Sequence, residues 1–231
     1  MIVLTLGGES KRFFDSGYSI VKYKLEFNGS SIIENILNYI PRESKLLLIL
    51  NSKFKDLIFF NNLLKKMNFN SYKVVEIERS RGQYDSLLIG LELAKDFYSI
   101  DEPLTIYNGD TIRKLSKWEE YDADGYIEVF EGEGNHWSFV DNLGKVSLVT
   151  EKQRISDYCS SGFYFFKRIE FINLFKDMFY SENSTELYIA PYYNYLIRNG
   201  LDIKSGTIDI SDLVFCGTPN EYKLSIKNFK L

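Results

Sequence analysis

The feature that most constrains this chain is the regular alternation of short apolar runs with helix-patterned segments over its first half. IVLTL at 2–6 is followed by SIIENILNYI at 31–40, KLLLILN at 45–51 and FKDLIFFNNLLKKM at 54–67. Then come YKVVEIE at 72–78, QYDSLLIGLELAKDF at 83–97 and PLTIYNGD at 103–110. Strands separated by helices of this length build right-handed βαβ crossovers and a largely parallel sheet. In such sheets ligands gather at the carboxyl ends of strands, and both LGGESKRF and YNGD fall at such ends.

After Asp124 the pattern changes. GYIEVF, HWSFV, KVSLVT and SSGFYFFK are short β-rich runs, two of them separated by Asn-Leu-Gly, which predicts antiparallel strands added to or folded over the parallel sheet. Helices are expected over about 168–180 and about 187–198, the second stopping at Asn199-Gly200. No Pro- or Ser-rich linker divides the halves and no repeat is visible. The fold expected is α/β: a Rossmann-like mixed, mainly parallel sheet flanked by helices. It is read as a single domain over 1–231, with a nucleotide-binding core at 1–123 and a β-rich acceptor-binding half at 124–231.

Charge and composition remove several function classes. A net charge of −4 argues against an extended nucleic-acid surface, which draws its binding energy from clustered Lys and Arg, so any phosphate site must be local. No signal-peptide layout and no membrane-spanning apolar run is present, and the cytoplasm is the expected compartment. Cys159 and Cys216 are too few for a disulfide scaffold, lack metal-ligand spacing, and are expected to be small buried residues. The single histidine, His136, has no partner motif for a triad and is assigned a surface or strand-pairing role.

Gly7 and Gly8 directly follow the first strand, where backbone must approach a ligand closely or take positive φ. With Ser10, Lys11 and Arg12 they suit a polyphosphate held by backbone amides and local cations. The alternative reading is a tight turn with solvated charges. Neither GxxxxGK[ST] nor GxGxxG is present. Asp110 ends an apolar strand, where a carboxylate either holds Mg²⁺ between phosphate oxygens or serves as a turn residue.

These segments together resemble the nucleotidylyltransferases of the sugar-1-phosphate type, including a bacterial subgroup serving capsule and surface-glycan synthesis. LGGESKRF is similar to that family's GGxGxRx signature, with Ser10 at the third glycine, where it would crowd the loop. GYSIVKYKLEFNGSSIIENIL resembles the segment in which a lysine, here Lys22, stands between two prolines, here Val21 and Tyr23. RGQYDSLLIGL resembles the helix start that reads base and sugar, and YNGDTI the metal-binding turn. HWSFVDNLGKVSLVTEKQRISDYCSSGFYFFK, STELYIAPYYNYLI and FCGTPNEY continue the likeness through the second half.

The resemblance implies site residues one by one. Leu6, Gly7, Gly8, Glu9, Ser10, Lys11, Gly82, Gln83, Asn108 and Gly109 would bind the nucleotide. Arg12, Lys22 and Asp110 would be catalytic, with Asp110 the Mg²⁺ ligand. Trp137, Glu151, Lys152, Gly162 and Glu186 would line the acceptor pocket, Trp137 being read first as a packing residue. Phe215 stands where many members carry a second metal-binding Asp, so one protein-held Mg²⁺ is expected. The implied reaction is attack of an acceptor phosphate on the α-phosphorus of a nucleoside triphosphate, weakly CTP, with release of pyrophosphate and no protein nucleophile. A sugar 1-phosphate is the first acceptor considered; phosphocholine, another phosphorylated alcohol or a phosphorylated amide is the second. A glycosyltransferase, which would show Asp-x-Asp, and a noncatalytic nucleotide-sugar-binding module are the rival readings, and a homo-oligomer is left open.

Overall fold

A computed structural model describes residues 1–115, 121–183 and 186–229. Seven strands make most of the main sheet: β1 (Ile2–Leu6), β2 (Lys45–Asn51), β3 (Ser71–Ile77), β4 (Leu104–Asn108), β5 (Gly125–Glu131), β6 (Tyr158–Phe166) and β7 (Ile203–Thr207). Across the sheet they run β7-β5-β6-β4-β1-β2-β3. Strands β4, β1, β2 and β3 are mutually parallel, with Leu4 opposite both Leu48 and Tyr107. Strand β6 runs antiparallel to β4 on one side and β5 on the other, and β7 returns parallel to β5. The chain steps outward from β1 to β3 and then crosses back to place β4 on the far side of β1. Strand order therefore reverses between β1 and β4, and a crevice opens there at their carboxyl ends.

The helices are α1 (Lys11–Asp15), α2 (Ile32–Asn38), α3 (Leu57–Lys66), α4 (Gln83–Leu93), α5 (Lys176–Glu182), α6 (Ile189–Arg198) and α7 (Pro219–Phe229). Alternation along β1 and β2 divides the core into two layers. Val3, Leu47 and Ile49 face Tyr84, Leu87 and Leu91 of α4 and the Tyr192, Tyr193 and Leu196 side of α6. Ile2, Leu4, Leu46 and Leu48 face Ile33, Ile36 and Leu37 of α2 and Phe60 and Leu64 of α3. Both faces of β2 are covered, which is why KLLLILN is a continuous apolar run. Helix α2 starts at a capping box, Ser31 accepting from the Glu34 N–H while Glu34 accepts from the Ser31 N–H. Many of the aromatic residues serve this packing: the Tyr84 and Tyr192 rings stack at 4.7 Å, with Phe179 edge-on to both.

Three local expectations change. The helix expected over 168–180 is a 3₁₀ turn at Ile169–Ile172 followed by the shorter α5. KVSLVT is not one strand: Gly144–Lys145 joins β7, whereas Val149–Glu151 pairs with Ser138–Val140. Strand β6 carries an irregularity between Ser160 and Tyr164, with Gly162 at φ 86°. Ser184 and Thr185 of the STELYI stretch lie outside the described residues. Cys159 and Cys216 are both buried and unpaired, as expected. Among the described residues no helix is long and apolar enough to cross a membrane.

Candidate active site

The loop after β1 is held from three directions. Asn51, at the end of β2, donates its side-chain N–H to the Gly7 carbonyl at 2.9 Å. A Cβ on Gly7 would stand 3.0 Å from Ser86 Oγ, so the backbone lies against the start of α4. Gly8 has nothing within 4 Å on its Cβ side, leaving open space for a ligand. Ser10 adopts the left-handed conformation at φ 53° and its hydroxyl accepts the Lys22 backbone N–H at 3.2 Å. The Ser10 hydroxyl is thereby turned to bracing the lysine-bearing segment.

Val21 and Tyr23, which replace the expected prolines, are buried at 5% and 2% exposure, and Tyr23 donates to Asp56 Oδ2 at 2.6 Å. Burial and one hydrogen bond thus fix the segment. They aim Lys22 into the crevice, where its ammonium meets Asp110 Oδ2 at 2.5 Å. Asp110 is placed from the other side. The Gly109 turn crosses the end of β1 so closely that a Cβ would come within 2.1 Å of Leu6. The strand Thr111–Arg113 then pairs with Leu213–Phe215, and the Cys216 N–H donates to the Asp110 carbonyl at 2.8 Å. Beneath the turn, Arg113 and Glu128 form a buried ion pair at 2.7 Å, with Ser161 donating to Glu128 at 2.8 Å.

Gly82 caps α4 at φ 139°, and a Cβ there would sit 2.6 Å from the Leu187 carbonyl oxygen. Tyr84 N–H donates to that carbonyl while Leu187 N–H donates to the Arg81 carbonyl, tying the start of α4 to the segment before α6. The side-chain N–H groups of Gln83 donate to Thr5 Oγ1 at 3.1 Å and Asn108 Oδ1 at 2.6 Å. Gly162 is packed directly behind Asn108: a Cβ would meet the amide at 2.2 Å.

At the acceptor end, Ser138 donates to Glu151, and Lys152, at φ 56°, donates to the Tyr188 hydroxyl, which donates in turn to Glu186. The Lys152 ammonium is also 3.7 Å from Glu151. Burial, and secondarily the Glu186 charge, pushes the Glu151 carboxyl above its ordinary value despite the hydroxyl and ammonium that oppose the shift. Trp137 packs between Phe130 and Phe215, at 5.1 and 4.9 Å, and its indole N–H donates to Glu133. It packs and lines the cleft at once. His136 is exposed, 3.8 Å from Glu221.

These elements enclose one cleft of about 1080 Å³. Every residue singled out from the sequence lines it except Gly162, whose place is behind Asn108. The cleft also takes in residues the sequence reading missed: Thr5, Asn51, Arg79, Arg81 and Tyr188. Arg79 and Arg81 follow β3, so a strand-end rule applied to YKVVEIE as well as to β1 and β4 would have found them. Most of the cations are already matched: Lys11 with Asp15 at 3.0 Å, Lys22 with Asp110, Lys152 with its acids, Arg81 with Asp85 at 3.9 Å. Arg12 and Arg79 have no ion-pair partner among the described residues.

No protein-family model matches the chain and no curated protein matches it. Solved structures do. A nucleoside-diphosphate-sugar pyrophosphorylase from Vibrio cholerae RC9 is 33% identical, with a TM-score of 0.90 over 98% of this chain and all of that one. An inositol-1-phosphate CTP transferase from T. maritima is 14% identical, with a TM-score of 0.74 over 97% and 92% of the two chains. A Bacillus anthracis structure described as a glucose-1-phosphate thymidylyltransferase is likewise 14% identical, at 0.76 over 98% and 94%. The two distant structures share the fold, and the nearer one shares the sequence along its full length. The chain is therefore a member of the nucleoside-diphosphate-sugar pyrophosphorylase family, and an enzyme of the nucleotidyltransferase class.

Proposed function

We propose that this enzyme joins a nucleoside triphosphate, with CTP favoured, to the phosphate of a small acceptor such as a sugar 1-phosphate, releasing pyrophosphate. The observation that carries the reading is the Lys22–Asp110 pair, set between the glycine loop and the acceptor half at the point where strand order reverses. An acceptor phosphate is already ionised at neutral pH, so the barrier lies in bringing anions together in line. Arg12 and Lys11 neutralise the departing β- and γ-phosphates, Arg12 as a bidentate fork. Arg79, which lines the same cleft with no ion-pair partner among the described residues, takes part in the same task. Lys22 stabilises charge at the α-phosphate, and Lys152 leaves Tyr188 to receive the acceptor phosphate.

The donor set fits a hard cation held with the help of substrate. Among the described residues no three His, Cys, Asp or Glu side chains gather as a cage, and Phe215 packs on Trp137 where a second acid would stand. Asp110 alone would hold Mg²⁺, with phosphate oxygens and water as the other ligands. When bound, the ion supplies charge neutralisation between phosphate oxygens. Gln83 supports an amino-bearing base such as cytosine over uracil or thymine: its N–H groups are engaged by Thr5 and Asn108, so its carbonyl is what remains to accept from an exocyclic amino group. The setting proposed is the supply of activated precursors for capsule or other surface glycans.

The test is pyrophosphate release with Mg²⁺ from each of five nucleoside triphosphates against a panel of phosphomonoesters. Acceptor-dependent release, fastest with CTP, is expected. Release with no acceptor in the panel would overturn acceptor-directed transfer, a clear preference for UTP or dTTP would overturn the role given to Gln83, and one for ATP or GTP would overturn the choice of CTP.

A further inference from the structure

The acceptor end of the cleft does not stop at Glu151. A side chamber of about 410 Å³ lies beyond it, lined by Phe179, Asn183 and Pro191 and sharing Glu151, Lys152, Glu186 and Tyr188 with the main cleft. The shared residues form a partition with two carboxylates and one ammonium. Glu151 accepts from Ser138 and lies 3.7 Å from Lys152, while Glu186 is reached from Lys152 through the Tyr188 hydroxyl. Burial, with the Glu186 charge adding to it, holds the Glu151 carboxyl above its ordinary value.

In the transfer reaction the one cation of this partition has another use. When Lys152 turns to the incoming phosphate, Glu151, with its side chain only 16% exposed, keeps the Ser138 hydroxyl alone, and a largely desolvated carboxylate stripped of its counter-charge is costly, while the exposed Glu186 keeps the Tyr188 hydroxyl. A sugar hydroxyl would give a hydrogen bond without charge. An ammonium group on the acceptor would restore the balance and bring up to three N–H donors.

Resting on the nucleotidyl-transfer reading, we propose that the acceptor is a phosphomonoester that also carries a protonated amine, seated between Glu151 and Glu186 where the cleft meets the side chamber. The amine is a spectator. An acceptor phosphate oxygen forms the new bond to the α-phosphorus, the bond from the α-phosphorus to the oxygen bridging to the β-phosphorus breaks, and that electron pair leaves with pyrophosphate.

The experiment compares acceptors that differ only in amine against hydroxyl: 2-aminoethyl phosphate with 2-hydroxyethyl phosphate, and glucosamine 1-phosphate with glucose 1-phosphate. kcat/KM is read from pyrophosphate release, and binding is read by calorimetry on the enzyme loaded with a non-hydrolysable triphosphate. The amine member of at least one pair is expected to be favoured by about tenfold or more in both readouts. That ratio should fall towards one in Glu151→Gln/Glu186→Gln, and part of the way in Glu186→Gln, whose side chain is exposed and whose fold is not at risk. Hydroxyl members that equal or outdo their partners, a ratio untouched by both variants, or no binding by any member would overturn the proposal. Failure of nucleotidyl transfer itself reads differently: no phosphomonoester gives acceptor-dependent release, while calorimetry still decides between amine and hydroxyl.

Discussion

Replacing Lys22 by alanine tests the centre of the proposed chemistry. The ammonium is 22% exposed and sits 2.5 Å from an Asp110 carboxylate that is 27% exposed, so the charge is partly shielded from water. A unit charge acting at 4 Å in an effective dielectric of about 20 is worth about 4 kcal/mol, and removing one preorganised contact to developing charge costs ~3 kcal/mol. We expect kcat to fall about a hundredfold, with KM for the triphosphate changing less, because the interaction strengthens as charge builds at the α-phosphate. A second effect runs the opposite way. With no ammonium competing for Asp110, half-maximal occupancy by Mg²⁺ should need less of the ion, read directly as binding of Mn²⁺ by paramagnetic resonance. Steady-state pyrophosphate release gives the kinetic split, and thermal melting separates a catalytic loss from a folding one. A variant with kcat within about threefold of the parent and an unchanged melting point would refute the reasoning.

Arg79→Ala should raise KM for the triphosphate about tenfold and leave KM for the acceptor nearly unchanged, because Arg79 is an unpaired guanidinium on the nucleotide wall; equal effects on both substrates would remove it from that wall. Gly82→Ala should cost about 2–3 kcal/mol, or about 5–10 °C in melting temperature, since the new Cβ meets the Leu187 carbonyl at 2.6 Å and the φ of 139° suits glycine alone; an unshifted melt would mean the junction yields freely. Glu151 makes stability fall with pH. Its folded carboxyl keeps a proton that the unfolded chain has released, so stability declines as pH rises from about the ordinary value of 4.5 through the raised folded value and is level above it. Because carboxyls held below their ordinary value, such as Glu34 and Asp141, tilt the whole profile the other way, the reading is a difference: the urea midpoint of the parent minus that of Glu151→Gln should fall between about pH 4 and pH 7, and parallel profiles would contradict the assignment.

The parts legible beforehand were those written into local pattern. Buried strands of a parallel sheet need unbroken apolar runs, so IVLTL and KLLLILN announced themselves, and cleft-lining residues at strand ends could be counted off from Gly7 and Asp110. The loops between Ser138 and Glu151 were misread because apolar residues there satisfy either a hairpin or two separate pairings, and only the neighbouring β7 decides which. The helix expected over 168–180 is broken by a tertiary contact in the same way: the Ile172 carbonyl accepts the Tyr84 hydroxyl, and Phe179, in the next element, packs on the Tyr84 ring.

The sequence by itself determined the sheet's parallel half, the glycine loop and the presence of Lys22 and Asp110, because hydrophobic period, backbone freedom and charge are properties of neighbours in the chain. That Lys22 and Asp110 touch across 88 positions is a property of the fold alone. So are the bracing of Lys22 by the Ser10 hydroxyl, the packing of Gly162 behind Asn108, and the placing of Lys152 between Glu151 and Tyr188. Each depends on where separate strands end in space, and contact between distant side chains leaves no periodic trace in a single chain.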